Sequence, residues 1–279
     1  MKYYLPYYYI WLSRLKTPRL FVSWVIIAAL PLWIVVAWMT SASIPNVTLL
    51  FVAAFTLFYY AYETGYIEND VKTIDRESSP TLRLDDSVMN DLRVHFWRVV
   101  GIRHVLLAIG VGAFVTLGPF LTPDLSAGRF VVGLLLILVV FALHNRIRNR
   151  LNIATFFLMT SLKYTVPVLP FVPAERIPEI VLLLLVAFPV VRTIEHASRA
   201  RYALGLNEWP LRNRHVFRAV YYLFVLVVFF LATRGRTISQ DSLYSAFFTI
   251  YLGFAIYRAT IAVTHIGLVM APSAGRHHD

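Results

Sequence analysis

Carboxylate, amide and hydroxyl side chains gather where an apolar stretch of the sequence runs into charged residues, at positions 69–77. Asp70, Thr73 and Glu77 are spaced i, i+3 and i+7, so a continuous helix would place them on one face, with Asn69 at its border. Such oxygen ligands suit Mg²⁺, which proteins hold with one or two carboxylates and the phosphates of a substrate. We therefore expect Asn69, Asp70 and Glu77 to bind Mg²⁺, with Thr73 assisting in catalysis.

Basic residues flank this motif. Lys72 lies within it, and Arg83 follows Pro80, which is expected to end the helix. Both side chains could neutralise phosphate oxygens. Glu63 lies two turns earlier, inside the apolar stretch, where an ionisable group is a functional candidate. The alternative is a solvated helix end of mixed charge, in which Lys72 only faces water.

A second polar motif follows a later apolar stretch. Arg192 and Arg199 would share a helical face with Glu195 or His196 between them, and Arg201 comes next. The planar fork of arginine is suited to phosphate, so we expect the three arginines to bind it. The alternative is a Glu195–Arg199 pair within ordinary positive loop charge.

The elements that carry these motifs belong to a membrane protein. The 279 residues are 58% hydrophobic and only 15% charged, and the mean hydropathy is +0.65, so lipid must be the solvent for most of the chain. Cysteine is absent, which excludes disulfides and thiolate metal sites. We assign the net charge of +11 to cytoplasmic loops and expect no nucleic-acid partner.

The apolar stretches predict an all-α, polytopic helical bundle of about eight spans (eight or nine), forming a single transmembrane domain over 1–279. The Tyr-rich residues 1–19 are expected to lie at the bilayer surface. The predicted spans are 20–39, 47–66, 98–119, 129–144, 153–171, 177–194, 216–233 and 243–266.

The distribution of charge predicts the side of the membrane on which each loop lies. Lys and Arg concentrate at both ends of the chain and in the loops 67–97, 145–152 and 193–215. By the positive-inside rule these segments are cytoplasmic, so both polar motifs open on one side. We expect an integral protein of the bacterial inner membrane with both termini cytoplasmic.

Further charges fall inside the predicted spans. Lys163 lies about ten residues into the fifth span, roughly 15 Å deep, and Glu63 is its expected partner from charge alone. Arg258 is similarly deep in the last span. Arg103 is expected to extend its charged end to the cytoplasmic surface.

The first motif resembles that of the UbiA superfamily of intramembrane prenyltransferases, N-D-x-x-D-x-x-x-D after the second helix. Here the order is Asn69-Asp70-x-x-Thr73-x-x-x-Glu77, with Thr and Glu for the second and third acids. The resemblance implies a helical membrane fold, Mg²⁺ as cofactor and a polyprenyl lipid as substrate. The family usually has nine spans, and its second acidic motif is replaced here by Glu195-x-x-x-Arg199.

Two short strings are similar to the branch that transfers phosphoribose from phosphoribosyl diphosphate to a polyprenyl phosphate: Pro80-Thr81-Leu82-Arg83 and Arg201-Tyr202-Ala203. That branch is the preferred function. One alternative is transfer of a prenyl group from prenyl diphosphate to an aromatic acceptor. Another is a non-catalytic binder or transporter of a phosphorylated lipid.

Overall fold

The computed structural model describes residues 2–74, 82–205, 208–233 and 242–270, without the side chains of Arg201, Ser242 and 265–270. Within these ranges the chain forms helices and turns and no strand, which confirms the predicted all-α class. The chain divides into two compact units, 1–193 and 194–279, and each is described by itself. The prediction of one domain over 1–279 stays a prediction.

The helices are numbered in chain order from a short helix at 8–15, α1. The others are α2 (Pro18–Met39), α3 (Ile44–Thr73), α4 (Asp86–Leu121), α5 (Ala127–Arg146), α6 (Leu151–Thr165), α7 (Ile177–Ala187), α8 (Pro189–Ala197), α9 (Trp209–Arg212), α10 (Arg214–Ala232) and α11 (Ser242–Met270).

Six of the described helices are long and apolar enough to cross a membrane: α2, α3, α4, α5, α10 and α11. The count becomes seven if α7 and α8, which meet at a bend of 42°, form one span. The bend falls at Phe188 and Pro189, because proline lacks the amide hydrogen that would continue the helix. The molecule is therefore a helical membrane protein.

The predicted fifth span, 153–171, is shorter in the structure. Helix α6 ends at Thr165 after 15 residues, below the 20 or so needed for a full crossing. Pro167 explains the end, because it lacks the amide hydrogen that would continue the helical hydrogen bonds, although Val166 before it keeps helical backbone angles.

Helix α3 packs against α4 and α5 in the first unit. Gly65 permits the close approach of α5: a Cβ atom at this position would lie 2.4 Å from Cγ of Phe141. Beyond Glu68 the helix widens into a π-turn over Asn69–Thr73, the motif that the sequence predicted on an ordinary α-helical face.

The segment 2–15 folds against α3. Tyr9 and Ile10 are buried in this packing, and the position of residues 1–19 at the bilayer surface stays a prediction. Tyr60 of α3 donates a hydrogen bond to the carbonyl oxygen of Tyr4 at 2.9 Å. These contacts bring α1 to the end of α3 that carries the first polar motif.

In the second unit α10 and α11 pack side by side. Aromatic pairs join them: Tyr222 with Phe254, at 5.0 Å between ring centroids, and Phe229 with Tyr251, at 5.2 Å.

Candidate functional site

Asp70 is the centre of a buried polar cluster, with 1% of its surface exposed. Arg14 donates to both of its carboxylate oxygens, at 2.9 and 3.3 Å. Arg83 donates at 3.1 Å, the Tyr9 hydroxyl at 2.9 Å and the Asn69 amide at 3.2 Å. Three separate segments of the chain, α1, the end of α3 and the residues before α4, therefore meet at this one carboxylate.

Arg14 is held from two directions. Its guanidinium lies over the ring of Tyr66, with Cζ 3.4 Å from the centroid, and also donates to the hydroxyl of Ser13. Burial opposes its charge, but Tyr66 and Asp70 outweigh that effect and raise the pKa of Arg14 above its ordinary value. Arg14 is therefore a fixed, permanently charged donor.

Tyr9 is a donor as well. Burial first, and then the charge of Asp70, raise the pKa of its hydroxyl well above the ordinary value. The phenol stays protonated at neutral pH and can only point its hydrogen at Asp70.

Thr73 lies one turn beyond Asp70. Its hydroxyl donates to the carbonyl oxygen of Asn69 at 3.2 Å, and Arg148 donates to its hydroxyl and carbonyl oxygens at 3.1 and 3.2 Å. Lys72 is exposed, with its ammonium 4.9 Å from the ring centroid of Phe96. The name Asp70 cluster is used below for Tyr9, Arg14, Asn69, Asp70, Thr73, Arg83 and Arg148.

Glu63 belongs to a second buried ion pair, with Arg103 at 2.9 Å and neither side chain exposed. Its other partners are the backbone N–H groups of Tyr7 and Ile10, at 3.2 and 2.8 Å. Two expectations were therefore wrong: the partner of Glu63 is not Lys163, and Arg103 does not extend to the surface. Pairing charges by opposite sign alone failed because it did not consider Arg103, which α4 places beside Glu63.

Lys163 lies among aromatic rings in α6. Its ammonium is 5.6 Å from the ring centroids of Tyr59 and Tyr62, and 5.4 Å from that of Tyr164. No carboxylate partner of Lys163 is present in the ranges that the structure describes.

At the predicted magnesium site, cationic side chains already bond the carboxylate of Asp70. Both oxygens of Asp70 accept hydrogen bonds from arginine, and guanidinium groups at this distance repel a divalent ion. Glu77 lies outside the described residues. Among those described, no three His, Cys, Asp or Glu side chains come together to hold a metal. The present arrangement does not fit Mg²⁺, and the Asn69–Asp70–Glu77 site stays a prediction.

Comparison of the chain with protein-family models, with curated proteins and with solved structures found no match. The resemblance to the UbiA superfamily therefore depends on the motif residues themselves.

The second motif belongs partly to each unit. Arg192 is exposed at the end of the first unit, and Arg199 is exposed in the second, while the side chain of Arg201 is not described. Glu195 receives two hydrogen bonds from Arg218, one of them at 2.7 Å. That these arginines face the Asp70 cluster stays a prediction.

Two other residues of the second unit have local partners. His196 and the hydroxyl of Tyr202 form a hydrogen bond. Arg258 is buried in α11, with Cζ 5.3 Å from the ring centroid of Tyr257.

The prediction from sequence missed Arg14 and Tyr9. The one signal that could have indicated them is Arg14 itself, a charge within a segment otherwise rich in tyrosine. What the Asp70 cluster offers chemically is a pair of guanidinium groups bonded to the same carboxylate, those of Arg14 and Arg83, with 18% and 34% of their side chains exposed.

Proposed function

We propose that this chain is a UbiA-like, membrane-embedded transferase that joins a diphosphate-activated donor to a second substrate, one of the two being a polyprenyl lipid. In the preferred form, phosphoribose passes from phosphoribosyl diphosphate to a polyprenyl phosphate. The observation that supports the proposal best is the convergence of Arg14 and Arg83 on the buried carboxylate of Asp70.

In this proposal Asp70 positions the two arginines, and the diphosphate accepts hydrogen bonds from the N–H groups that do not bond Asp70. A guanidinium carries five donors in a planar fork, so it can bond a carboxylate on one edge and a phosphate on the other. Two positive charges against one negative charge leave the pair positive overall. A diphosphate group is therefore attracted to the partly exposed side of Arg83.

The transfer itself needs stabilisation of a departing charge. The bond between C1 of ribose and the diphosphate oxygen breaks, and the bonding electrons leave with the diphosphate. An oxygen of the lipid phosphate then forms the new bond to C1. Arg14, Arg83 and the exposed Lys72 would stabilise the leaving diphosphate, because donors fixed before the reaction cost no reorganisation during it. Arg192, Arg199 and Arg201 would hold a phosphate of the second substrate.

Two alternatives remain. The same cluster suits the diphosphate of a prenyl donor, with an aromatic acceptor as second substrate. A non-catalytic binder or transporter of a phosphorylated lipid is supported by the ion pairs of Asp70, which form a stable binding surface without any reactive group.

The proposal includes a topology. Eight spans with both termini in the cytoplasm would place the loops 67–97 and 193–215 on the cytoplasmic side of a bacterial inner membrane. The excess of Lys and Arg in these loops supports that orientation.

The test is mass spectrometry of lipid products. Purified protein is incubated with Mg²⁺, a polyprenyl phosphate and phosphoribosyl diphosphate, and in parallel with a prenyl diphosphate and aromatic acceptors. We expect a phosphoribosylated lipid from the wild type and from Arg98→Ala, an exposed control arginine on α4, but none from folded Asp70→Ala or Asp70→Asn. Loss of product with EDTA would support the predicted metal.

Other outcomes decide against parts of the proposal. A prenylated acceptor would replace the preferred form with the first alternative. No product of either kind from folded protein, or full activity in Asp70→Asn, would reject the transferase that we propose.

A further inference from the structure

Lys163 is enclosed by a tyrosine cage formed by Tyr59, Tyr62 and Tyr164. The three ring centroids lie 5.4–5.6 Å from its ammonium nitrogen, within the range in which the negative faces of aromatic rings attract a cation. Tyr164 is fixed in turn by stacking on Phe188, with centroids 4.1 Å apart and an interplanar angle of 10°. The cage is thus a rigid feature between α3, α6 and the end of α7.

The cage supplies no counter-charge. Glu63, the acid closest to it along α3, is fully buried in its pair with Arg103. The charged groups that act on Lys163 are Arg192 and Arg14, which are both positive. A lysine ammonium is a compact charge with three donors, and rings alone do not satisfy those donors. An anion at this position would relieve both the repulsion and the unfilled donors.

The surroundings of Lys163 also offer access and a further donor. Lys163 keeps part of its surface accessible. The hydroxyl of Tyr59 is buried beside the indole N–H of Trp24, which can only donate, and no acceptor for its own hydrogen is present among the described residues. A buried hydroxyl without an acceptor costs free energy that an incoming oxygen would recover. An ammonium and a hydroxyl on neighbouring side chains suit the oxygens of one anionic group.

The position of the cage along α3 indicates which anionic group. Tyr62 precedes Asp70 by eight residues, which corresponds to about 12 Å along a helix. In the other direction the buried rings of Phe55 and Phe51 follow that of Tyr59 along α3. The charge at Lys163 therefore lies between the polar groups around Asp70 and an apolar part of the bundle, an order that suits the phosphate end of an apolar ligand.

We propose that Lys163 and the tyrosine cage bind the phosphate group of a polyprenyl phosphate. This site, rather than the three arginines of the second motif, would hold the lipid phosphate, and it is separate from the Asp70 cluster, where the donor diphosphate is expected. The proposal rests on the proposed function for the identity of the lipid, and its geometry depends on the ammonium of Lys163 and the hydroxyl of Tyr59.

The experiment compares farnesyl phosphate with farnesol, which share a tail and differ in the phosphate. Native mass spectrometry of the full chain in detergent gives the ratio of the two bound species at equal concentration. We expect the wild type to prefer farnesyl phosphate, and Lys163→Met to lower that preference by about tenfold or more, as for loss of a charge-assisted hydrogen bond. Lys163→Arg should keep part of it, and Lys16→Met, which removes an exposed lysine, should keep all of it.

Two results would overturn the proposal: an unchanged preference in folded Lys163→Met, or a preference lost only in Arg83→Ala, which would move the lipid phosphate to the Asp70 cluster. If Lys163→Met does not fold, Tyr59→Phe replaces it, because this change removes the hydroxyl and keeps the ring. An unchanged preference in Tyr59→Phe would then reject the site.

Binding of inorganic diphosphate is measured on the same proteins. Affinity for inorganic diphosphate should fall in Arg83→Ala and stay unchanged in Lys163→Met. If diphosphate does not bind, or no product forms, while the preference for farnesyl phosphate still depends on Lys163, the transferase is rejected. The lipid-phosphate site is then retained.

Discussion

Arg103 of α4 donates to Glu63 of α3 at 2.9 Å, and neither side chain has any exposed surface. Arg103 also bonds the hydroxyl of Thr64 at 3.0 Å and the carbonyl oxygens of Tyr60 and Tyr3 at 2.8 and 2.7 Å. Both members of the pair are fully buried, and each has backbone or side-chain partners besides the other. We therefore assign it a structural role, that of fastening residues 3–10 to α3 and α4.

Removing one charge of this pair should destabilise the protein strongly. Glu63→Gln leaves Arg103 buried without its counter-ion, and we expect a loss of about 3–5 kcal/mol in the free energy of unfolding in detergent. The control is Glu179→Gln, which breaks the partly exposed pair with Arg176 and should cost less than about 1 kcal/mol. Equal effects of the two changes would contradict the structural role, whereas Glu63→Gln combined with Arg103→Met should recover part of the loss.

Arg14 should be as important for diphosphate binding as Arg83, although it is 56 residues from Asp70 in sequence. Arg14→Lys keeps the charge but cannot bond two oxygens of Asp70 in one plane, so we expect affinity for inorganic diphosphate to fall by about ten- to a hundredfold. Arg19→Ala, at an exposed arginine five residues away, is the matched control. Titration calorimetry of both variants measures this affinity. Wild-type affinity in Arg14→Lys would show that Arg14 does not take part in binding diphosphate.

The hydroxyl of Tyr9 should contribute measurably to the same cluster. Tyr9→Phe removes one donor from a buried carboxylate, and a hydrogen bond to a charged group contributes about 1.5–3 kcal/mol. We expect a loss of that size in unfolding free energy. Tyr8→Phe, which removes a hydroxyl from the neighbouring tyrosine, should change it little. Indistinguishable unfolding curves would show that Asp70 does not depend on α1.

The contact of α3 with α5 should not tolerate a methyl group. In Gly65→Ala the new Cβ would lie 2.4 Å from a ring carbon that cannot rotate away, so we expect about 1–3 kcal/mol of destabilisation. Gly101→Ala on α4 meets nothing within 4 Å and should stabilise its helix slightly. Thermal unfolding of both variants, together with partial rescue of Gly65→Ala by Phe141→Ala, would locate the effect at this contact.

The apolar stretches predicted the helical membrane class because lipid leaves a chain few other structures, and the positions of α2 to α5, α10 and α11 follow from their length and composition. The prediction is less accurate near Pro167 and Pro189. A hydropathy pattern continues across a proline although the helix does not.

The site was less predictable. Asp70 and Thr73 stand out in sequence because they end an apolar stretch, and both are buried there. Their partners Arg14 and Arg148 are far away along the chain and follow no periodicity, so no spacing rule connects them. The π-turn over Asn69–Thr73 also changes the helical face on which the expected metal ligands were placed.

The hydrogen bond between Arg103 and the carbonyl oxygen of Tyr3 spans 100 positions of the chain. A ribosome makes Tyr3 long before Arg103, so the segment that holds Tyr9 and Arg14 must wait through the synthesis and insertion of α2, α3 and much of α4. During that interval Glu63 lacks its arginine, and Thr73 lacks Arg148 for longer still. The Asp70 cluster is thus assembled late, when the earliest-made part of this chain finally meets helices that did not exist when it left the ribosome.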